Sequence, residues 1–130
     1  MGIRLDITRH KMEGKYMQNE KFEALVTAKE YLGRLIPGLE SINDSFREGD
    51  VSLTEDFVDG MQGIAWIVEV MVLTEDCHDV RIDVTEINNH LEAINEAFEN
   101  EDFALVADIA HYEILPVLEE CEKALQSVNN

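Results

Sequence analysis

The chain has 130 residues and a formal net charge of −18 at pH 7, with 28 acidic residues against 10 basic ones. This length predicts one domain with a single hydrophobic core. Because so acidic a surface repels nucleic-acid phosphate and anionic lipid, we expect neither nucleic acid nor a membrane as a partner. The longest apolar run, residues 64–73, contains Glu69 and is too short to span a bilayer.

The first sixteen residues differ in character from the rest of the chain. Residues 1–16 carry a net charge of +2 and show no sustained hydrophobic period, which predicts a poorly ordered N-terminal appendage. The helical bundle is expected to occupy residues 17–130. Because Met12-Glu13-Gly14 can be encoded by a message that contains GGAGG just before the next methionine codon, we hypothesise that the cellular protein begins at Met17.

The first predicted helix covers about residues 19–47. Its apolar residues follow steps of three and four, which is the period of one helix face. The pattern passes through Pro37, where the missing backbone donor predicts a kink or a short break. The residues of this stripe are Leu25, Ala28, Leu32, Leu35, Leu39, Ile42 and Phe46.

The second predicted helix runs from about Ser52, where Ser52 and Glu55 match a capping box, to about residue 76. It is apolar on two sides, and one side is expected to face the core. The glycines in its interior predict close approach of another helix, either within the chain or across a dimer. The side away from the core predicts the contact surface of a homodimer. The residues assigned to this protein contact are Gly63, Trp66, Val70 and Leu73.

The third and fourth predicted helices begin at good N-cap residues. Asp83 precedes the third helix and Asp102 precedes the fourth. Pro116 predicts a second kink, in the last helix. Cys77 and Cys121 lie far apart in apolar helical patterns, which predicts two buried thiols rather than a disulfide. With no signal peptide recognised at the N-terminus, we expect a cytoplasmic protein.

An internal sequence repeat relates the two halves of the chain. Residues 39–56 reappear as residues 91–108, at a constant offset of 52 positions. Each copy covers the end of one helix, a turn and the start of the next helix. The repeat therefore predicts an all-α, up-down-up-down four-helix bundle built from two related helical hairpins. The identical pairs are Leu39 and Leu91, Glu40 and Glu92, Ile42 and Ile94, Asn43 and Asn95, Phe46 and Phe98, Asp50 and Asp102, Leu53 and Leu105, and Asp56 and Asp108.

A metal-binding helical bundle is one alternative function. Four-helix bundles can hold two metal ions through Glu and Glu-x-x-His ligands, and carboxylate and imidazole ligands suit iron, manganese or zinc. The expected helix register places the two motif histidines roughly 10 Å apart, which disfavours a dinuclear site. A single-metal site made by Glu86, His90 and His111 remains open. The residues that match the dinuclear pattern are Glu75, His78, Asp108, His111, Glu86, and either Glu23 or Glu30.

No motif in the sequence predicts catalysis. The serines and cysteines lack a neighbouring base, and the chain has no phosphate-binding loop, so we assign no catalytic residue and no cofactor. We therefore expect a non-enzymatic protein interaction module that self-associates. A small chaperone or secretion adaptor, which holds an amphipathic segment of another protein, is a further alternative.

The second acidic turn and the helix after it carry a family resemblance. Asp102, Leu105, Asp108 and the run from Tyr112 to Pro116 resemble a group of uncharacterised small acidic helical-bundle proteins, a domain of unknown function from Gram-positive, clostridia-like bacteria. The resemblance covers residues 32 to about 125. It implies a helical bundle and brings no catalytic residues.

Overall fold

Four helical stretches account for most of residues 18–128, the part of the chain that the computed structural model describes. No strand occurs among these residues, so the predicted all-helical bundle is confirmed. The predicted appendage (1–16) and the proposed start at Met17 lie outside the described residues. The elements are α1 (Gln18–Arg47), α2 (Thr54–Leu73), a 3-10 turn (Glu75–Cys77), α3 (Val84–Glu99), α4 (Phe103–Ile109), a π-helical turn (Ala110–Ile114) and α5 (Leu115–Leu125).

Helix α1 is the centre of the domain. It packs against α2, α4 and α5, while α3 packs against α4. Every residue of its predicted apolar stripe is buried. The helix runs through Pro37 without a break, and a bend at this proline stays a prediction. Among residues 18–128, no helix combines the length and the apolar character needed to cross a bilayer.

Four phenylalanines pack together beside the turns that follow α1 and α3. The ring of Phe46 lies 5.4 Å from Phe57, 6.1 Å from Phe98 and 5.3 Å from Phe103, measured between centroids. Phe46 and Phe98 occupy equivalent positions of the repeat. The two copies therefore meet through the same residue, in an edge-to-face contact with an interplanar angle of 89°.

The turns after α1 and α3 have the same hydrogen bonds. In each turn three backbone N–H groups donate to the preceding helix, and the donors and acceptors of the second turn lie 52 positions after those of the first. Gly49 (φ 83°) and Glu101 (φ 55°) hold the left-handed conformation at equivalent positions. The bonds are Glu48 to Asp44, Gly49 to Phe46 and Asp50 to Ser45 in the first turn, and Asn100 to Glu96, Glu101 to Phe98 and Asp102 to Ala97 in the second.

The two copies differ immediately after these turns. Asp102 caps α4, since its side chain accepts a bond of 3.1 Å from the backbone N–H of Leu105. The equivalent Asp50 accepts instead from the backbone N–H of Ser52 at 2.9 Å, and α2 begins without a side-chain cap. The predicted capping box at Ser52 is therefore wrong, whereas the predicted N-cap residues Asp83 and Asp102 are confirmed.

The last helical stretch contains a π-helical turn just before Pro116. Proline lacks an N–H and its ring crowds the carbonyl four residues earlier, here that of Tyr112. One wider turn over residues 110–114 accommodates this defect without ending the helix. The kink predicted at Pro116 stays a prediction.

Candidate interaction surface

Tyr31 of α1 explains why Gly63 is a glycine. A methyl group at Gly63 would overlap the hydroxyl of Tyr31 and lie 2.6 Å from its Cζ atom. Close approach of another helix was expected at this glycine, and the approaching helix is α1 of the same chain. The burial of Tyr31, with a smaller contribution from nearby Asp59, raises the pKa of its hydroxyl, against a lowering by Arg34. The phenol is therefore neutral at pH 7.

Of the other three residues assigned to protein contact, two retain exposed surface. Val70 is 1% exposed and packs within the domain. Trp66 and Leu73 are half-buried. The indole of Trp66 meets the ring of Tyr31 edge to face, with centroids 6.1 Å apart. A role in binding a partner stays a prediction for all four residues, and Trp66 and Leu73 have the side-chain surface to serve it.

The two cysteines lie in different environments. Cys121 is buried as predicted, and burial together with Glu120 raises its pKa to about 12. Cys77 is exposed, so the prediction of a buried thiol is wrong there. The reason is that α2 ends at Leu73, and Cys77 lies in the 3-10 turn beyond the apolar helix face. Partial desolvation and Asp76 raise the pKa of Cys77, which disfavours a reactive thiolate.

An open groove of about 260 Å³ lies between α1 and α2, next to Tyr31. This volume exceeds the roughly 150 Å³ of an engineered cavity that admits benzene. Most of the exposed lining is apolar. We call this cavity the α1–α2 groove, and its lining residues are Tyr31, Arg34, Leu35, Gly38, Leu39, Ile42, Asp56, Asp59 and Gly60.

Glycine leaves space in the groove on both helices. A methyl group added at Gly38 would have no atom within 4 Å, and one added at Gly60 would have a Leu35 methyl as its nearest neighbour, at 3.8 Å. Packing within the chain therefore does not require glycine at either position. Each glycine in a helix interior costs about 1 kcal/mol relative to alanine.

The charges of the groove are divided between its two helices. Arg34 lies on the α1 side, with its guanidinium carbon 6.0 Å from the Tyr31 ring centroid. Asp56 and Asp59 lie on the α2 side. None of these three side chains forms an ion pair within residues 18–128. The groove therefore offers one cation and two anions at its edges.

Sequence reasoning missed most of this groove. It assigned Leu35, Leu39 and Ile42 wholly to the core, although Leu35 and Ile42 lie at the core's edge. The available signal was the pair Gly38 and Gly60, since glycines inside two long helices indicate close approach or open space.

Of the three residues of the proposed single-metal site, the structure brings Glu86 and His90 together, while His111 has a different partner. The Nε2 atom of His90 lies 3.6 Å from a Glu86 carboxylate oxygen and 3.4 Å from one of Glu113. The His111 ring packs against the ring of Tyr112, with centroids 4.6 Å apart. No group of three or more His, Cys, Asp or Glu side chains within residues 18–128 has an arrangement that could hold a metal ion.

The histidine and aspartate of the dinuclear pattern also have other partners. His78 accepts a bond of 3.1 Å from the Val80 N–H at Nδ1, while Nε2 lies 2.9 Å from the Met71 carbonyl oxygen. This arrangement uses both ring nitrogens of the neutral imidazole. Asp108 accepts a bond of 3.3 Å from Arg47.

A smaller pocket of about 150 Å³ lies beside His90 and Glu86. Arg81, Asp83 and Glu120 also line it. Its charged lining distinguishes it from the mainly apolar α1–α2 groove. The Arg81 guanidinium donates to the carbonyls of His78 and Val80 and thereby holds the α2–α3 connection.

The comparison with known families covers nearly the whole described domain. Residues 23–124, from the first turns of α1 to the end of α5, match the family described as Domain of unknown function (DUF8042). The predicted match to a domain of unknown function is thereby confirmed, while the acidic, helical character of that family and the bacterial group stay predictions. No curated protein and no solved structure matches the chain. The chain belongs to the DUF8042 family.

Proposed function

We propose that this chain is a non-enzymatic protein interaction module that binds its partner through the α1–α2 groove. The observation that supports the proposal is the groove itself, an open and mainly apolar site with Tyr31 in its lining. Aromatic side chains with apolar surface and a polar rim are typical of the centre of protein interfaces.

The shape of the groove favours a helical partner. Gly38 on α1 and Gly60 on α2 bring the groove floor close to the two backbones. A helix that lies along such a groove inserts side chains at intervals of three and four residues. The separated charges at the edges would set its direction.

We infer the finer features of the fold from contacts between the helices. Lys21, near the start of α1, pairs with Asp76 just after α2, and Phe46, near the end of α1, contacts Phe57 near the start of α2. These contacts support antiparallel packing of α1 and α2. With the Phe46–Phe98 contact, they support the up-down-up-down order of two related hairpins.

The compartment and the alternative functions are also proposals. The two free thiols support a reducing, cytoplasmic environment. A chaperone or secretion adaptor would use the same groove and differs only in the partner. The metal-binding alternative receives no support from the positions of Glu86, His90 and His111.

Site-directed photo-crosslinking tests the proposed surface. A photo-reactive amino acid replaces Gly38 in the groove or, as the control, Gly33 on the same helix outside it. Both glycines are exposed and have no atom within 4 Å of the added carbon, so both variants should fold. In cells that express the chain, we expect crosslinks to protein from position 38 and none from position 33. Absence of any protein crosslink from position 38 would contradict the proposal.

A further inference from the structure

We propose that the partner in the α1–α2 groove is the same groove of a second copy of this chain, related to the first by a two-fold axis. This inference rests on the proposed function, since it names the occupant of that surface. A two-fold interface requires a surface that complements itself, because each contact between the two copies occurs twice. Both the shape and the charge of this surface meet the requirement.

The surface has an aromatic end and a glycine end. The aromatic end is marked by Tyr31, which contacts Trp66, and the glycine end by Gly38. Gly60 has Leu35 as its nearest neighbour and so lies between the two ends. Seven residues of α1 separate Tyr31 from Gly38, which is roughly 10 Å at the rise of an α-helix. A two-fold axis between the ends would place the Tyr31 ring of each copy over Gly38 of the other.

Arg34 and Asp56 lie towards opposite ends of the groove, while Asp59 lies near Tyr31. Arg34 lies beside the Tyr31 ring at the aromatic end, whereas Asp56 lies on α2 one helical turn before Gly60. The same rotation would bring Arg34 of each copy towards Asp56 of the other. Two symmetric ion pairs would then satisfy side chains that lack an ion pair within residues 18–128.

Net charge favours this part of the surface for contact between identical chains. The whole chain carries −18, so two copies repel each other over most orientations. The groove residues include one arginine and two aspartates, which leaves a formal charge of only −1. Approach through the groove therefore combines apolar contact with little local repulsion.

The second hairpin carries different side chains at the positions that line the α1–α2 groove. At the offset of 52 residues, Gly38 corresponds to His90 and Arg34 corresponds to Glu86. In that hairpin the His90 ring lies between the carboxylates of Glu86 and Glu113. A helical hairpin of this type can thus carry a large polar side chain at the position of Gly38, so folding does not require glycine there. The pocket beside Glu86 and His90 is smaller than the α1–α2 groove, about 150 Å³ against about 260 Å³.

Glycine-to-alanine variants separate folding from dimerisation. Gly38→Ala and Gly60→Ala meet no close atom within the chain and improve helix propensity, so each should unfold no more easily than the parent. In the dimer a methyl group at position 38 would meet Tyr31 of the other copy, and one at position 60 would reduce the space between the two copies, so we expect the dissociation constant to rise about tenfold. Gly33→Ala is the matched control, with the same helix gain and no effect on dissociation. Sedimentation equilibrium measures the constants, and unchanged dissociation in both groove variants would overturn the predicted packing.

A charge exchange tests the predicted pairing. Arg34→Glu alone and Asp56→Arg alone should each weaken the dimer, and the chain that carries both changes should recover affinity because the pairs form again with reversed sign. Failure of the double variant to recover would overturn the predicted arrangement. A parent chain that stays monomeric throughout the concentration series would overturn the dimer itself.

The crosslinks from position 38 distinguish this inference from the proposed function. A product with twice the mass of the chain supports the second copy. A product with a different protein only, from a monomeric chain, overturns the inference and leaves the interaction surface in place. With no protein crosslink from that position, both proposals fail.

Discussion

Asn43 is a buried polar side chain without a hydrogen-bond partner among residues 18–128, and its replacement should stabilise the protein. The residue is 1% exposed, and neither its Nδ2 nor its Oδ1 atom finds a partner within residues 18–128. An unsatisfied buried polar group costs about 1 to 3 kcal/mol. Asn43→Leu keeps the shape of the side chain and removes both polar atoms, so we expect the free energy of unfolding to rise by a similar amount.

The repeat supplies the control for this substitution. Asn95 occupies the equivalent position of the second hairpin and is half-buried. Asn95→Leu should change the free energy of unfolding by less than about 0.5 kcal/mol, as is usual away from a buried defect. Urea titration measures both values, and the thermal midpoint should rise by roughly 4 °C for each kcal/mol. A loss of stability in Asn43→Leu, or an equal gain in both variants, would refute the reasoning.

Three further outcomes are expected. Glu101→Gly should raise the free energy of unfolding by about 1 kcal/mol, because Glu101 holds a φ of 55° where the first hairpin has Gly49. Urea titration measures this change, and a destabilised variant would contradict the prediction. Gly63→Ala should displace Tyr31 and thereby alter the fluorescence of Trp66, the chain's one tryptophan. An unchanged emission spectrum would count against the contact between Tyr31 and Gly63. Burial lowers the pKa of His78, so the unfolded chain takes up a proton at a higher pH than the folded chain does. The free energy of unfolding should therefore fall as the pH drops below about 6.5. Urea titrations across that range measure the slope, and an unchanged slope in His78→Gln would show that this residue is not the cause.

Local periodicity and capping chemistry were enough to predict the helices. The apolar stripe of α1 follows from its three- and four-residue steps. Asp83 and Asp102 cap α3 and α4 because the carboxylate of each accepts from the backbone N–H three residues later. The internal repeat also predicted that the turns after α1 and α3 are alike. These features depend on residues close together in sequence, which is why pattern alone could reveal them.

Features that depend on contacts between distant residues could not be predicted in the same way. The pattern extended α2 to about residue 76, whereas the helix ends at Leu73. The Thr74 hydroxyl donates to the Val70 carbonyl at 2.6 Å, and the Cys77 N–H donates to the Thr74 carbonyl at 2.8 Å. These bonds close a 3-10 turn that leaves Cys77 exposed. The contact between Tyr31 and Gly63 joins two helices, so no local pattern could reveal it.

The two hairpins keep the same turn but present different surfaces. The shared hydrogen bonds fix how each helix ends, even with Glu101 in the conformation that Gly49 adopts more easily. On the helix faces the equivalent residues of the two hairpins differ. Gly38 has open space, whereas the Nε2 atom of its equivalent His90 lies next to two carboxylates. A stable turn can thus be used twice while the helix faces differ. The larger and more apolar groove supports an interaction surface on α1 and α2 rather than at the smaller pocket of the second hairpin.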